Sequence, residues 1–332
     1  MDRHLPQNNR STFGWCLLPS LVFAVAVQAD AHAQTYPAKP VRLVIPFPPS
    51  GAIDWTARLV ATKVSEQYES QFVIDNRPGA GGTIAAEIVA RAAPDGYTLM
   101  QGTASNAIST AFDTSKSPHF GRDYEPIALI GSSIFILVAH PSLQVKSVKE
   151  LIARAKSAPG SIEYASAGIG TTNHLTMELF KTLAGVDLLH VPYKGGGPAM
   201  QDQVAGRVML GFSNTTVSRP HIKSGRLIPL GISGGTRAAV VPDIPTVDEA
   251  GVKGFDAITW YGFVAPKNTP ATVIARLNDA INRSLRLPDV REKFNNEGIT
   301  LGGGTPEEFG KRINGDIDKW SKIIRSQGIK RQ

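Results

Sequence analysis

Apolar runs alternate with turn signals along most of this chain, and the first clear unit lies at residues 41–64. Val41, Leu43, Val44 and Ile45 form a short β-branched run that Pro46 closes. Pro48-Pro49-Ser50-Gly51 then turns the chain, and Ile53, Ala57, Val60 and Val64 follow at helical spacing. The pattern predicts strand, tight loop and helix. Such a loop delivers the backbone N–H groups of about Gly51, Ala52 and Ile53 to the positive end of a helix dipole, where no intrahelical acceptor exists. That geometry suits an anion, and a carboxylate is the simplest candidate.

The same alternation continues. Gln71 to Ile74 reads as a second strand, Asn76-Arg77-Pro78-Gly79-Ala80-Gly81-Gly82 leads into a helix from Ile84 to about Ala92, and Pro94-Asp95-Gly96 turns into a strand at Tyr97 to Met100. That strand ends in a loop, Gly102-Thr103-Ala104-Ser105-Asn106. Alternating β and α elements imply a mostly parallel sheet covered by helices, with ligand loops gathered at the carboxyl ends of the strands. Ile127 to His140 is a long apolar strand suited to leaving one lobe for another. Beyond it a helix near Val148 to Ala158, a strand at Ser161 to Ala165, the loop Ser166-Ala167-Gly168-Ile169-Gly170-Thr171-Thr172 and a helix through Leu175, Leu179 and Leu183 repeat the opening design. Leu188 to Tyr193 is a further strand, and a helix begins at Ala199. Thr259 to Pro266 reads as a second crossing segment, followed by helices at Pro270 to Leu285 and Pro306 to Ser326, each started by a Thr-Pro pair in the cap and first-turn positions. Two crossings make a hinge with a cleft between facing loops. If the helix starts at Gly51 and Thr171 face each other, each holds one carboxylate of a small diacid.

Residues 1–33 do not belong to this pattern. Arg3 and Arg10 give a basic front, Cys16 to Val27 is an apolar run of about a dozen residues, and Ala31-His32-Ala33 is a small-x-small cleavage site. A signal peptide over 1–33 and a mature, periplasmic chain from Gln34 are expected. No later stretch approaches the roughly 20 apolar residues of a membrane span. Cys16 is the only cysteine, so the mature protein is expected to lack disulfides and thiolate chemistry. The net charge of +7 is spread without a run of four or more basic residues. Small anions are mildly favoured and nucleic acid is not.

The candidate chemistry favours binding over catalysis. Asp54 either meets an amino group of a ligand or stabilises the first turn of its helix. Ser166, Thr171 and Thr172 place three hydroxyls on a Gly-rich loop at a helix start, where capping accounts for one of them. His174 can donate to an anion or pack. Tyr193 can line the cleft or lie beneath it, and Trp55 is a pocket wall or a core residue. The 76–82 segment lacks the Gly-Lys-Ser/Thr ending of a phosphate loop and reads as a structural turn. Ser166 lacks the first glycine of a nucleophile elbow, no His-x-x-x-His pair offers a zinc site, and no cofactor is called for.

Pro46-Phe47-Pro48-Pro49 through Asp54, the 76–82 segment, Pro94 to Leu99, Ser166-Ala167-Gly168 with Gly170-Thr171-Thr172, and Val191 to Gly195 together resemble the periplasmic solute receptors of the tripartite tricarboxylate transporter family, also called Bug receptors. The resemblance runs from about Tyr36 to the last helix. It implies an α/β, two-lobed periplasmic-binding-protein (Venus flytrap, type II-like) fold with two crossing segments, lobe 1 being 34–133 plus 263–332 and lobe 2 being 134–262. It also implies a ligand carboxylate held by backbone amides and ordered water, and delivery to a two-component membrane permease with large and small integral subunits. The candidate ligand-binding residues are Phe47, Ser50, Gly51, Ala52, Asp54, Ser105, Ser166, Gly170, Thr171, Thr172, His174 and Tyr193. Where the family usually has a second glycine this chain has Ser50, which either costs about 1 kcal/mol if φ is positive there or adds a hydroxyl to the anion site. A monomer is expected. The alternatives are a receptor that signals to a sensor kinase and a hydrolase using Ser166.

Overall fold

The computed structural model describes residues 36–49, 51–112 and 118–329. The expected signal peptide and Ser50 lie outside the described residues. β1 (Val41–Ile45) pairs in parallel with β2 (Phe72–Asn76) and with β3 (Thr98–Thr103). Its side chains are buried on both faces, which is why it reads as a continuous apolar run. Val41, Leu43 and Ile45 pack with Ala57, Val60 and Val64 of α1 (Ala52–Tyr68). Val44 points the other way, into a cluster with Ala85, Ala86 and Val89 of α2 (Thr83–Ala90). After β3 the chain enters α3 (Ala104–Phe112), where a loop was expected. α3 is buried almost throughout, and its Ser105, Asn106, Ser109 and Thr110 disguise the helix as a polar connection.

β4 (Tyr124–Ala139) is the spine. Tyr124 to Ile134 pair antiparallel with β9 (Ile258–Pro266), whereas Phe135 to Ala139 pair antiparallel with β7 (Leu210–Asn214). β5 (Glu163–Ser166) then joins β7 and β6 (Leu189–Pro192) in parallel, giving the order β2-β1-β3-β9-β4-β7-β5-β6 in a ten-stranded sheet. β8 (Ile228–Ile232) and β10 (Ile299–Gly303) also pair antiparallel with β4. The sheet is therefore mixed rather than mostly parallel: each lobe has a parallel flank, and the strands that carry the chain between the lobes run antiparallel in the centre.

Helices cover both lobes. α4 (Val148–Ser157), α5 (Thr172–Ala184), α6 (Gly196–Val204) and α7 (Thr215–Lys223) belong to the β5–β7 side. α8 (Ala271–Arg286) packs its Ile274, Leu277 and Ile281 beside β1, and α9 (Pro288–Asn296) adds Val290 and Phe294. α10 (Pro306–Gln327) opens with a capping box between Thr305 and Glu308, as its Thr-Pro start predicts. Thr269 is not a cap: Pro270 takes the N-cap position of α8, and the Thr269 hydroxyl donates to the Pro266 carbonyl at 2.8 Å. Along α10, Phe309, Ile313 and Ile317 pack with the α2 cluster, while Trp320 and Ile324 pack with Phe180 and Phe212 on the other side. One helix thus ties both cores together.

Candidate ligand-binding site

The start of α1 and the start of α5 line one cavity. Phe47, Pro48, Pro49, Gly51, Ala52 and Ile53 form one wall, and Thr171, Thr172 and Asn173 form part of the other, with Ser105 between them. The floor is Thr259 and Tyr261 of β9 with Asn214 of β7, whose amide donates to the Tyr261 hydroxyl at 3.0 Å. The cavity leaves about 70 Å³ open to the centre of a water-sized molecule, several times the ~10–15 Å³ that one water needs. Among its described lining residues there is no Lys, Arg, His, Asp or Glu. An anion here meets helix starts and uncharged polar groups.

The first wall is held from behind. Asn76 donates to the Phe47 carbonyl at 2.9 Å and to Asp54 Oδ1 at 2.9 Å, and Arg58 Nε donates to Asp54 Oδ2 at 2.8 Å. Asp54 is 4% exposed and does not line the cavity; Arg58 neutralises it, which removes the repulsion that a bare carboxylate would exert on a bound anion. The N-cap of α1 is Gly51, which has no side chain to cap the helix.

The second wall is braced internally. Asn173 Oδ1 accepts from the Ala167 N–H at 3.3 Å and lies 2.8 Å from the Thr171 hydroxyl. His174 Nδ1 accepts from the Gly170 N–H at 3.2 Å, and its ring stacks on His190 with centroids 4.1 Å apart. Burial first, then the neighbouring His190 and Lys181, push the His174 pKa down to about 3, so the ring stays neutral and keeps its acceptor. Ser166 is fully buried; its Oγ shares a 2.6 Å hydrogen bond with His190 Nε2 and accepts from the Gly168 N–H. Tyr193 donates to Asp202 at 2.8 Å, and its pKa is pushed up to about 12 by burial and by that carboxylate. Ser166, Gly170 and His174 therefore support the loop and Tyr193 is tied to α6 through Asp202, whereas Phe47, Gly51, Ala52, Ser105, Thr171 and Thr172 reach the cavity. Trp55 packs at 5.5 Å on Phe294.

The two walls touch. Ser105 Oγ accepts from the Thr172 N–H at 3.0 Å and lies 3.1 Å from the Thr172 hydroxyl. Gly195, at φ +140°, comes so close to Pro48 that a Cβ would lie 2.9 Å from the proline ring. Asn173, Gln203, Ser213, Asn214, Thr259 and Tyr261 were not singled out from the sequence. The one available signal was Gln203, an amide four residues after Ala199 on the apolar face of α6.

A family model described as the tripartite tricarboxylate transporter family receptor matches residues 56–329. The chain belongs to that receptor family. Among relatives of these receptors, BugT of Bordetella pertussis is 34% identical over 311 residues, 93% of this chain and 95% of BugT. Rpa4515 of R. palustris, solved with adipate, superposes with a TM-score of 0.85 at 35% identity, over 89% of this chain and 99% of that one. MatC of Rhodopseudomonas palustris, solved with bound malate, gives 0.83 at 31% identity, over 87% and 100%. The architecture is the two-lobed periplasmic-binding-protein fold shared with these receptors. Among the described residues no group of three or more His, Cys, Asp or Glu is placed to hold a metal ion.

Proposed function

We propose that this chain is an exported receptor that captures a small organic carboxylate without an amino group and presents the closed form to a two-component membrane permease. The reading rests on one observation: a small cavity lined by two helix starts and, among its described residues, by no charged side chain. Helix N-termini and uncharged donors stabilise a carboxylate. An ammonium group enclosed there has no carboxylate partner, and burying an unpaired charge is strongly unfavourable. Adipate in Rpa4515 and malate in MatC support an amine-free acid.

The two lobes exchange the chain where β4 changes partners near Ile134 and again ahead of β9. Closure follows from ligand contacts made by both lobes, because a ligand shifts the equilibrium only by its differential affinity for the closed state. The basic, apolar, small-x-small succession of residues 1–33 supports export. Complete burial of Ser166 keeps its hydroxyl from any substrate in the cavity.

Thermal unfolding of the chain from residue 34 onward tests this, using mono-, di- and tricarboxylates beside amino acids of matched length. A ligand at about a hundred times its Kd stabilises by about 2.7 kcal/mol. Stabilisation by one class of acids and none by amino acids is expected. Stabilisation by amino acids alone overturns the reading. So does silence toward every acid together with no acid released on denaturation.

A further inference from the structure

The cavity wall opposite α1 contains an amide whose hydrogen bonding is incomplete. Gln203 is 1% exposed and lines the cavity beside Ala165, Ala199 and Ser213. Its Oε1 accepts from the Ser213 hydroxyl at 3.1 Å, which fixes one end of the group. Among the described residues its Nε2 meets no hydrogen-bond acceptor. Buried polar groups are otherwise nearly always paired, so an orphaned donor at a ligand cavity indicates an acceptor that arrives with the ligand.

The surroundings make room for that amide. A Cβ on Gly211 would lie 2.3 Å from Gln203 Nε2, so glycine in β7 creates the slot in which the amide sits. The neighbours Phe135, Ala165, Ala199 and Val217 are apolar. Of the α5 donors, the Thr172 N–H is already taken by Ser105 across the cleft.

We propose that Gln203 is a specificity-determining residue whose amide donates to an oxygen on the end of the acid remote from the α1 carboxylate seat. The ligand class is then an acid with a second oxygen-bearing terminus, such as a dicarboxylate, in preference to a monocarboxylate of the same length. A carboxamide donor carries no charge; it rewards an oxygen acceptor and leaves a terminal methyl facing an unpaired N–H. This deepens the carboxylate-receptor reading and rests on it.

Titration calorimetry with succinate, glutarate and adipate against butyrate, valerate and hexanoate separates the two ideas. The wild type is expected to favour the diacid of its preferred length at least tenfold over the matched monoacid. Gln203→Leu removes that preference by weakening the diacid about tenfold. Gln203→Glu, which keeps the shape, sets a carboxylate against the diacid and lowers its binding further. If Gln203→Leu does not fold, Ser213→Ala provides the same test by releasing the amide, with the diacid alone weakened. A wild type that binds none of the six, is stabilised by no other acid and releases none on denaturation sinks the carboxylate reading; one that binds only an acid with a single oxygen-bearing end sinks the role of Gln203. A wild type that binds a diacid and its monoacid equally, or variants that bind the diacid like the wild type, sinks the role of Gln203 and leaves that reading intact.

Discussion

Two loops enter the same cavity at the start of a helix, yet they are built differently. The loop before α5 is stitched by side chains: Ala167, Gly168, Gly170 and Thr172 donate their N–H groups to Asn173, Ser166, His174 and Ser105 respectively. The loop before α1 is supported from beneath, through Asn76 and Asp54, and its N-cap is Gly51, which has no side chain to cap the helix. The first loop is a finished surface, while the second offers a helix start to the ligand. Symmetry of sequence pattern therefore conceals asymmetry of role. α1 is the proposed anion seat, and at α5 the Thr172 N–H is already engaged by Ser105 across the cavity.

The largest expected effect falls on the stitched loop. His174 has its pKa lowered in the fold to about 3 by burial, then by His190 and Lys181, against about 6.5 in an unfolded chain. As pH falls through 6.5 the unfolded state takes up a proton that the folded state refuses, so stability declines until about pH 3. The slope reaches about 1.4 kcal/mol per pH unit. Denaturant titrations between pH 7 and 5 are expected to show this slope in the wild type and to lose most of it in His174→Gln; parallel slopes in the two proteins would contradict the role given to the neutral ring.

Ser105→Ala tests the join between the loops. It leaves the buried Thr172 N–H without its partner, a cost of about 1–3 kcal/mol that falls on the ligand-bound form if the proposed closure is what makes this contact. Calorimetry is expected to show ligand binding weakened about tenfold or more, with the melting temperature of the ligand-free protein changed much less. Equal losses in both would make Ser105 a general packing residue. The smallest effect on affinity belongs to Asp54→Asn, which keeps the side-chain shape and the acceptor for Asn76 but turns an N–H toward Arg58 and loses the ion pair with that half-exposed residue, worth about 1 kcal/mol or less. Affinity for an acid should stay within about threefold. A loss beyond a hundredfold would place Asp54 on the ligand.

Much of this could be read from residues 41–64 and 161–183, where strand, turn and helix periodicities follow in short order. The fold resisted reading where one signal served two structures. In α3, Ser105, Asn106, Ser109 and Thr110 are buried hydroxyls and amides; polarity there marks helix packing and a cavity edge, not exposure. Strand direction in β4 and β9 carries no periodic signature, so the antiparallel centre of the sheet was hidden. At the site, Gly51, Ala52, Thr171 and Thr172 were legible because backbone amides at helix starts leave a Pro/Gly/Thr pattern. Gln203 and Ser213 were not, because their meeting depends on α6 lying across β7 at Gly211.

The direct test is a crystal structure of the receptor with the diacid that stabilises it most. One carboxylate is expected within about 2.7–3.2 Å of the backbone nitrogens at the start of α1, with no lysine or arginine side chain paired to it and the remote oxygen on Gln203. A carboxylate paired to a basic side chain, or seated away from α1, would contradict the proposed seat, which takes its carboxylate without a charged partner.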